Sequence, residues 1–512
     1  MKSEKNFIAL NKFNVKLIDS QSMRFITTTL PYANSVPHIG HAFEFIIADA
    51  LARHQTMVGN EVFFNVGLDE NGLKIQQAAE FAGVSPEEYV GGLQEKWVSF
   101  MELLDIRYNN CYSTSTDEHH ADVQEVWMDL LAKGDIYKKK YKGNYCVGCE
   151  SFKTDRDLTE NKCSDHPNLD IQVVEEENYF FKLSKYKNQL QDWLESNPDF
   201  LIPNKKTPEL TNLLENLEDI SISRDSNVVN WGVNVPEDGT QTIYVWFDAL
   251  LNYIFSAGYG YDETSDTKWG SDTKFSDRWD KALQICGPDN LRFQGIVFQG
   301  MLCALEVKNT TTLLVHGTIL DGNGVKMSKS LGNVVDPVEQ VALYGATAVR
   351  YYALAGLSTY NNTSWDEEAL VSLYNTHLAN DYGNLVARVL HLIDINGLSH
   401  IEPKLSTCDA FLVENITDSL HCWEDKDING ATTAINQMVK RGNIYITKEE
   451  PWKIKDKEKL EYVLQSLFTL LDFVTRLYEP IIPEKVKEVR KALVGKKKMI
   501  IFEKLKTKTI EV

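Results

Sequence analysis

Cysteine is scarce in this chain, 8 in 512 residues. Disulfide-stapled folds are cysteine-dense, so a disulfide framework is excluded and a reducing, cytoplasmic compartment is expected. Also missing is any run of about 18 uncharged apolar residues, the length that a membrane-spanning helix needs. Residues 1–22 mix polar and charged side chains without the apolar stretch of a signal peptide, and they read as an N-terminal extension. Positive charge is short too: 53 lysines and arginines face 73 aspartates and glutamates, for a formal net charge of -20. Proteins that coat nucleic acid non-specifically carry a basic footprint. That class is excluded, whereas a local basic surface for one RNA is not. One such cluster lies in the tail, at Lys496, Lys497, Lys498, Lys504, Lys506 and Lys508. What the chain does have is length for about three domains and 43% hydrophobic residues, enough for a large core.

Two short stretches carry the chemistry. Phe25-Ile26-Thr27-Thr28-Thr29-Leu30 is β-branched and apolar, a predicted strand. Pro31, Asn34, Ser35 and Pro37 break it. From His41 to Met57 an apolar stripe predicts a helix, with Gly59 as its C-cap. His38 and His41 therefore sit where a strand turns into a helix. A helix N-terminus offers unpaired N–H groups and partial positive charge to an anion, and Gly40 allows close approach to the backbone. The second stretch, Lys326-Met327-Ser328-Lys329-Ser330, is flanked by Gly322, Gly324 and Gly332. A loop of this kind can fold two ammonium groups over a polyphosphate. Taken singly, the stretches read as ordinary turn histidines and a solvated lysine loop. Together, in this order, they read as two halves of one ATP site.

A third pattern is Cys146-Val147-Gly148-Cys149 followed, after thirteen residues, by Cys163-Ser164-Asp165-His166. Two ligand pairs, each with two residues between its members, match a closed tetrahedral Cys3His zinc site of structural type.

The paired motifs resemble the two signatures of class I aminoacyl-tRNA synthetases. From the turn near residue 30 to beyond residue 470 the context resembles the methionyl-tRNA synthetase family, in its bacterial form with a single zinc knuckle. The resemblance implies an α/β fold: a Rossmann-like parallel sheet carrying a zinc-binding connective insertion, then an all-α anticodon-binding bundle. The division it suggests is an extension at 1–22, a first catalytic half at 23–120 and the insertion at 121–215. A second catalytic half at 216–320, a lysine-loop and linking region at 321–370, a helical domain at 371–490 and a tail at 491–512 follow. The implied activity is ATP-dependent ligation of L-methionine to tRNA(Met), initiator tRNA included, with Mg2+ accompanying ATP. An insertion of roughly 95 residues leaves no room for the editing domain of relatives specific for isoleucine, valine or leucine, which favours methionine. The chain ends soon after the bundle, so no appended C-terminal domain is expected, and neither is an oligomer.

The resemblance also assigns residues. His38, Gly40, His41, Lys326, Met327, Ser328, Lys329 and Ser330 would bind ATP. His38, His41, Lys326 and Lys329 would stabilise the transferring phosphates, and Arg224 would contact the activated carboxylate or phosphate. Asp289 would hold the ribose and Asp69 the amino group of methionine. Leu30, Tyr32, Trp246, Ala249, Tyr253, Asn290 and Gln294 would line the side-chain pocket, where aromatics suit a soft thioether and Gln294 is expected to donate to sulfur. Asn384, Arg388 and Trp452 would read the anticodon, the tryptophan by stacking. This chain departs from the family pattern at Leu68 and Asn71, at Pro288 in place of lysine, at Asn290 in place of an aliphatic residue and at Gln294 in place of histidine. Three alternatives stay open: a class I synthetase for another amino acid, a synthetase-derived RNA-binding protein and a nucleotidyltransferase that uses the same half-sites without tRNA.

Overall fold

The computed structural model describes residues 23–147, 151–153, 158–159, 161–163, 168–260, 274–327, 331–404, 416–497 and 499–506. Its centre is a parallel sheet of six strands: β1 (Met23–Thr27), β2 (Glu61–Leu68), β3 (Asn110–Ser113), β4 (Leu201–Ile202), β5 (Leu283–Cys286) and β6 (Thr312–Val315), ordered β3-β2-β1-β5-β6-β4. Strands covered on both faces read as near-continuous apolar runs. Phe25 and Ile26 in β1 and Phe64 and Val66 in β2 are buried accordingly. Strand order reverses between β1 and β5, and ligands of open α/β sheets bind at such a switch point, outside the carboxyl ends of the strands. Helix α1 (Ile39–Met57) leaves β1 at that point and is buried along most of its length.

The insertion is an antiparallel sheet built on one long pair, Ile136–Cys146 against Gln172–Phe181, in register from Ile136↔Phe181 to Tyr145↔Gln172. Two details differ from the sequence reading. Leu201–Ile202, inside the stretch 121–215, pairs with β6 and so already belongs to the central sheet. Residues 219–224, whose alternating pattern predicts one strand, form two. Ile220–Ser221 closes the insertion sheet, and Ser223–Asp225 pairs with Gln241–Ile243. Strands this short carry no usable periodicity.

The helical part runs from Glu367–Leu373 through a π-helical stretch, Tyr374–Gly383, into Asn384–Ile395. Ile416–Glu424, Ile428–Glu449 and Lys457–Leu477 follow. These agree with apolar periodicity near 372–394, 409–424, 429–446 and 459–478, apart from residues 409–415, which lie outside the described residues. Pro483–Gly495 is a further helix, running past residue 490. Within the tail, residues 501–505 pack back on the helical part. Ile501 and Phe502 are buried, Phe502 lies 5.5 Å from the Tyr382 ring, and Asn375 and Leu505 exchange hydrogen bonds of 2.9 and 2.8 Å. Among the described residues no helix is long and apolar enough to cross a membrane.

At the far end of α1, His54 stacks on Trp423 of the helical part, centroids 4.5 Å apart and nearly parallel. Both its ring nitrogens are buried without a partner among the described residues, and burial pushes its pKa down from 6.5 to about 3. The unfolded chain takes up a proton below pH 6.5, whereas the folded one does so only near pH 3. Between these values stability rises with pH and is lost as pH falls. At pH 5 the loss from this residue is about 2 kcal/mol. His54→Phe keeps the stack and should flatten the fall in urea midpoint between about pH 6.5 and 5. An unchanged slope would remove His54 as its source.

Candidate active site at the sheet switch point

The turn after β1 holds its histidines by a reciprocal cap. His38 is the N-cap residue of α1. Its Nδ1 accepts from Gly40 N–H at 3.1 Å and His41 N–H at 3.4 Å, while His41 Nδ1 accepts from His38 N–H at 3.2 Å. The rings stack at 3.7 Å, and His41 also meets the edge of Trp97 at 4.9 Å. This corrects one expectation. The first-turn amides are not open to an anion, because Gly40 and His41 N–H go to His38 and Ile39 N–H donates to Val335 O at 3.0 Å. What this end presents to an anion is imidazole and the helix dipole.

That Ile39–Val335 bond also joins the two motifs, since Val335 follows the lysine loop. Lys326 pairs with Asp289 at 2.7 Å, so the loop reaches the Gly287-Pro288-Asp289 turn after β5. The root of the loop is held by Asp321, which accepts from Asn333 Nδ2 at 2.8 Å and from the amides of Asn323 and Val325. The Asn333 bond and these amides keep its carboxyl below the usual range. Met327 Sδ accepts from Val335 N–H. Ser328, Lys329 and Ser330 lie outside the described residues. The site therefore assembles from β1, β5 and the segment after β6.

Glu44 was not anticipated. It is buried on α1, accepts from Thr29 N–H and Oγ1 at 2.7 and 2.5 Å, and lies 3.0 Å from His316 Nε2 just beyond β6. It ties the ends of β1 and β6 together. The available signal was an acidic residue three positions after His41, on the apolar stripe of the helix.

An aromatic cluster lies beside this turn. Tyr32 meets Trp246 edge-on at 6.2 Å, and Trp246 stacks on Phe293 at 3.8 Å. Phe293, absent from the sequence reading, opens a π-helical turn, Phe293–Val297, that also carries Gln294. Ala249 and Tyr253 are buried on the helix Val245–Ala257, while Leu30 and Asn290 are half-buried. Gln294 Nε2 donates to Tyr253 Oη at 2.7 Å, while its Oε1 is buried without a partner among the described residues. Burial pushes the Tyr253 hydroxyl well above the usual phenol range.

The Asp69 turn is clamped on every side. Asp69 N–H donates to Pro31 O, and Ala33 N–H donates to Asp69 O. The Glu70 carboxylate accepts from Gln94, Ser113 and Ser115, Trp231 Nε1 donates to Glu70 O, and Gly72 N–H donates to Trp231 O. Asp69, buried, is thus presented next to Tyr32. Arg224 is buried with its guanidinium 4.1 Å from the Tyr244 ring, donates to Ser221 Oγ and Ser223 O, and shares a small cavity with Gly72 and Val245.

Residues 24–170 and 157–390 match the family described as tRNA synthetases class I (M). The methionine–tRNA ligase of Nostoc sp. is 36% identical over 90% of this chain and 87% of its own. That of Caldanaerobacter subterraneus is also 36% identical, over 94% of this chain and 75% of its own. Among solved structures, Mycobacterium tuberculosis methionyl-tRNA synthetase in complex with methionyl-adenylate matches with a TM-score of 0.82 and 29% identity, over 96% of this chain and 99% of that one. The chain belongs to the methionine–tRNA ligase family.

Two further sets of residues lie away from the switch point of this family member. Cys146 ends the long insertion strand, Cys163 ends the short strand Lys162–Cys163, and both are fully buried. Cys149 and His166 lie outside the described residues. On the helical part, Asn384 is exposed and Arg388 half-buried, one turn apart on Asn384–Ile395. Trp452, in the turn Pro451–Lys453, is 52% exposed, which leaves an indole face at the surface.

Proposed function

We propose that the His38–His41 turn, the lysine loop and the Asp69 turn divide between them the two steps of methionine–tRNA ligation. Methionine's carboxylate oxygen attacks the α-phosphorus of ATP, and pyrophosphate leaves. The 3'-terminal ribose hydroxyl of tRNA(Met) then attacks the acyl carbon of the adenylate, and AMP leaves. Little covalent work falls to the protein, so rate comes from positioning and from stabilising developing phosphate charge. With both Nδ1 atoms in the cap, His38 and His41 act through Nε2. Lys326 and Lys329 cover the β- and γ-phosphates, and Mg2+ accompanies ATP. Asp289 takes the ribose hydroxyls, Asp69 takes the ammonium of methionine, and the Tyr32–Trp246–Tyr253 pocket takes the thioether. Arg224 steadies the carboxylate end. Zinc held by Cys146, Cys149, Cys163 and His166 would stiffen the insertion, which the chemistry of the donor set and the burial of two thiols support; four protein ligands leave no open position. Asn384, Arg388 and Trp452 read the anticodon of tRNA(Met), initiator tRNA included. The enzyme acts in the cytoplasm as a monomer, a reading for which its low cysteine content supplies the compartment.

One observation carries the ATP assignment: the contact of Ile39 with Val335, which brings the lysine-loop segment onto the histidine turn at the switch point. ATP–pyrophosphate exchange tests it. Exchange should depend on methionine, and Lys329→Ala should lower its kcat by about 100-fold or more with little change in the methionine KM. Exchange driven best by another amino acid would overturn the specificity, and equal effects on both constants would overturn the role of Lys329.

A further inference from the structure

Asp248 has no place in the mechanism above, yet it is 0% exposed, on the same first turn of helix Val245–Ala257 that carries Trp246 and Ala249. No cation is paired with it among the described residues. Among the described residues its carboxylate takes one hydrogen bond, from Asn71 Nδ2 to Oδ2 at 3.1 Å. Asn71 is 1% exposed and lies two residues after Asp69. Its amide orientation is settled by Thr114 O, an obligatory acceptor 2.9 Å from Nδ2. His120 Nε2 also faces Nδ2, at 3.4 Å. Burial lowers the pKa of His120, so at neutral pH the ring brings no charge. Two atoms are left over. Asn71 Oδ1 and Asp248 Oδ1 are both buried acceptors without a partner among the described residues.

An ionised carboxylate with a single hydrogen bond and no counter-charge is costly at such a site. One proton removes every deficit at once. We propose that Asp248 is held as the neutral acid and donates its O–H to Asn71 Oδ1, so that the two side chains form a doubly hydrogen-bonded acid–amide pair. The pair fastens the turn that presents Asp69 to the helix that carries Trp246 and Ala249. It thereby fixes the spacing between the ammonium site and the side-chain pocket. Burial raises the Asp248 carboxyl well above the usual range, in the same direction. Asp248 and Asn71 are positioning residues: they act on methionine through Asp69 and Trp246. The inference rests on the methionine-site reading above.

The amide of Asp248→Asn can donate and accept in the same two places, whereas Asp248→Ala can do neither. Measured by pyrophosphate exchange, Asp248→Asn should keep the methionine KM within about 2-fold of wild type, with an unchanged pH profile between about pH 6 and 9. Asp248→Ala should raise the methionine KM about 10-fold or more and leave the ATP KM within about 2-fold. If Asn raises the methionine KM as much as Ala, an ionised carboxylate is required and the pair is wrong. If Ala raises both KM values together, the role is only structural. Infrared difference spectra at neutral pH give a readout that does not depend on the alanine variant folding. Wild type should show a protonated-carboxyl C=O stretch that Asp248→Asn lacks, and its absence overturns the proposal. Wild-type exchange that ignores methionine would instead sink the ligase reading, while the infrared band would still decide the acid–amide pair.

Discussion

Replacing His41 with asparagine is expected to lower the kcat of methionine-dependent pyrophosphate exchange by about 100- to 1,000-fold without shifting the thermal midpoint. The two nitrogens of this ring have separable duties. Nδ1 accepts the His38 amide and closes the N-terminal cap of α1. Nε2 is the atom assigned to the transferring phosphate. An asparagine Oδ1 occupies nearly the place of Nδ1, so His41→Asn keeps the cap and deletes the phosphate arm. His41→Gln reverses this, putting its amide near the place of Nε2 and weakening the cap. His41→Ala loses both and should add about 1 kcal/mol of destabilisation, the usual cost of a lost N-cap interaction. Loss of activity in asparagine but not glutamine assigns the role to Nε2. Full activity in His41→Asn would leave His41 as a capping residue only.

The strand, turn and helix that carry His38 and His41 were legible because each left a separate mark: β-branched apolar residues, then prolines, then an apolar stripe. The cap that consumes the first-turn amides was not, because it depends on side-chain rotamers of two residues that a sequence shows only as histidine. Asp69 and Tyr32, both assigned to the methionine site, form an isolated β-bridge, a neighbour relation that the sequence did not show. Phe293 and the commitment of Gln294 to Tyr253 were missed for a common reason. Both sit on a π-helical turn, which rotates side chains off the 3.6-residue period on which helical reading rests. Strand β4 has two residues and no pattern to read. Helix Pro483–Gly495 is dominated by charge, and its narrow apolar stripe hid its last turn, so residues 491–495 were assigned to the tail. Asn71, noted in the sequence only as a departure, gains a reason from Asp248, 177 positions away in the chain.

Asp49→Ala is expected to destabilise the protein by about 3–5 kcal/mol, read as a fall in the urea midpoint of the first unfolding transition. Asp49 lies in the middle of α1, 0% exposed, and Arg350, 1% exposed, reaches it from helix Ala346–Ala355 at 2.6 Å. Both Asp49 oxygens and all three Arg350 nitrogens have partners. Asp49 Oδ2 also accepts from Arg53 Nε at 2.7 Å, and Oδ1 accepts from Arg107 N–H at 2.9 Å. Arg350 further donates to Leu104 O, Pro480 O and Ile481 O at 3.0–3.1 Å. A buried pair gains little over a well-packed apolar one, but removing one member strands the other charge. Alanine at 49 leaves a buried guanidinium with carbonyls alone. Arg350→Met leaves Asp49 with Arg53 but orphans three carbonyls, so its cost should be similar. The double variant should cost less than the sum of the two, because neither charge is then left unpaired. Strict additivity, or a loss below about 1 kcal/mol for Asp49→Ala, would show that the pair behaves like a solvated surface bridge. Arg350 joins α1, the segment after Leu104 and the turn at Pro480, so the same bond that stabilises the core also anchors the helical part to the helix whose first turn carries His38 and His41.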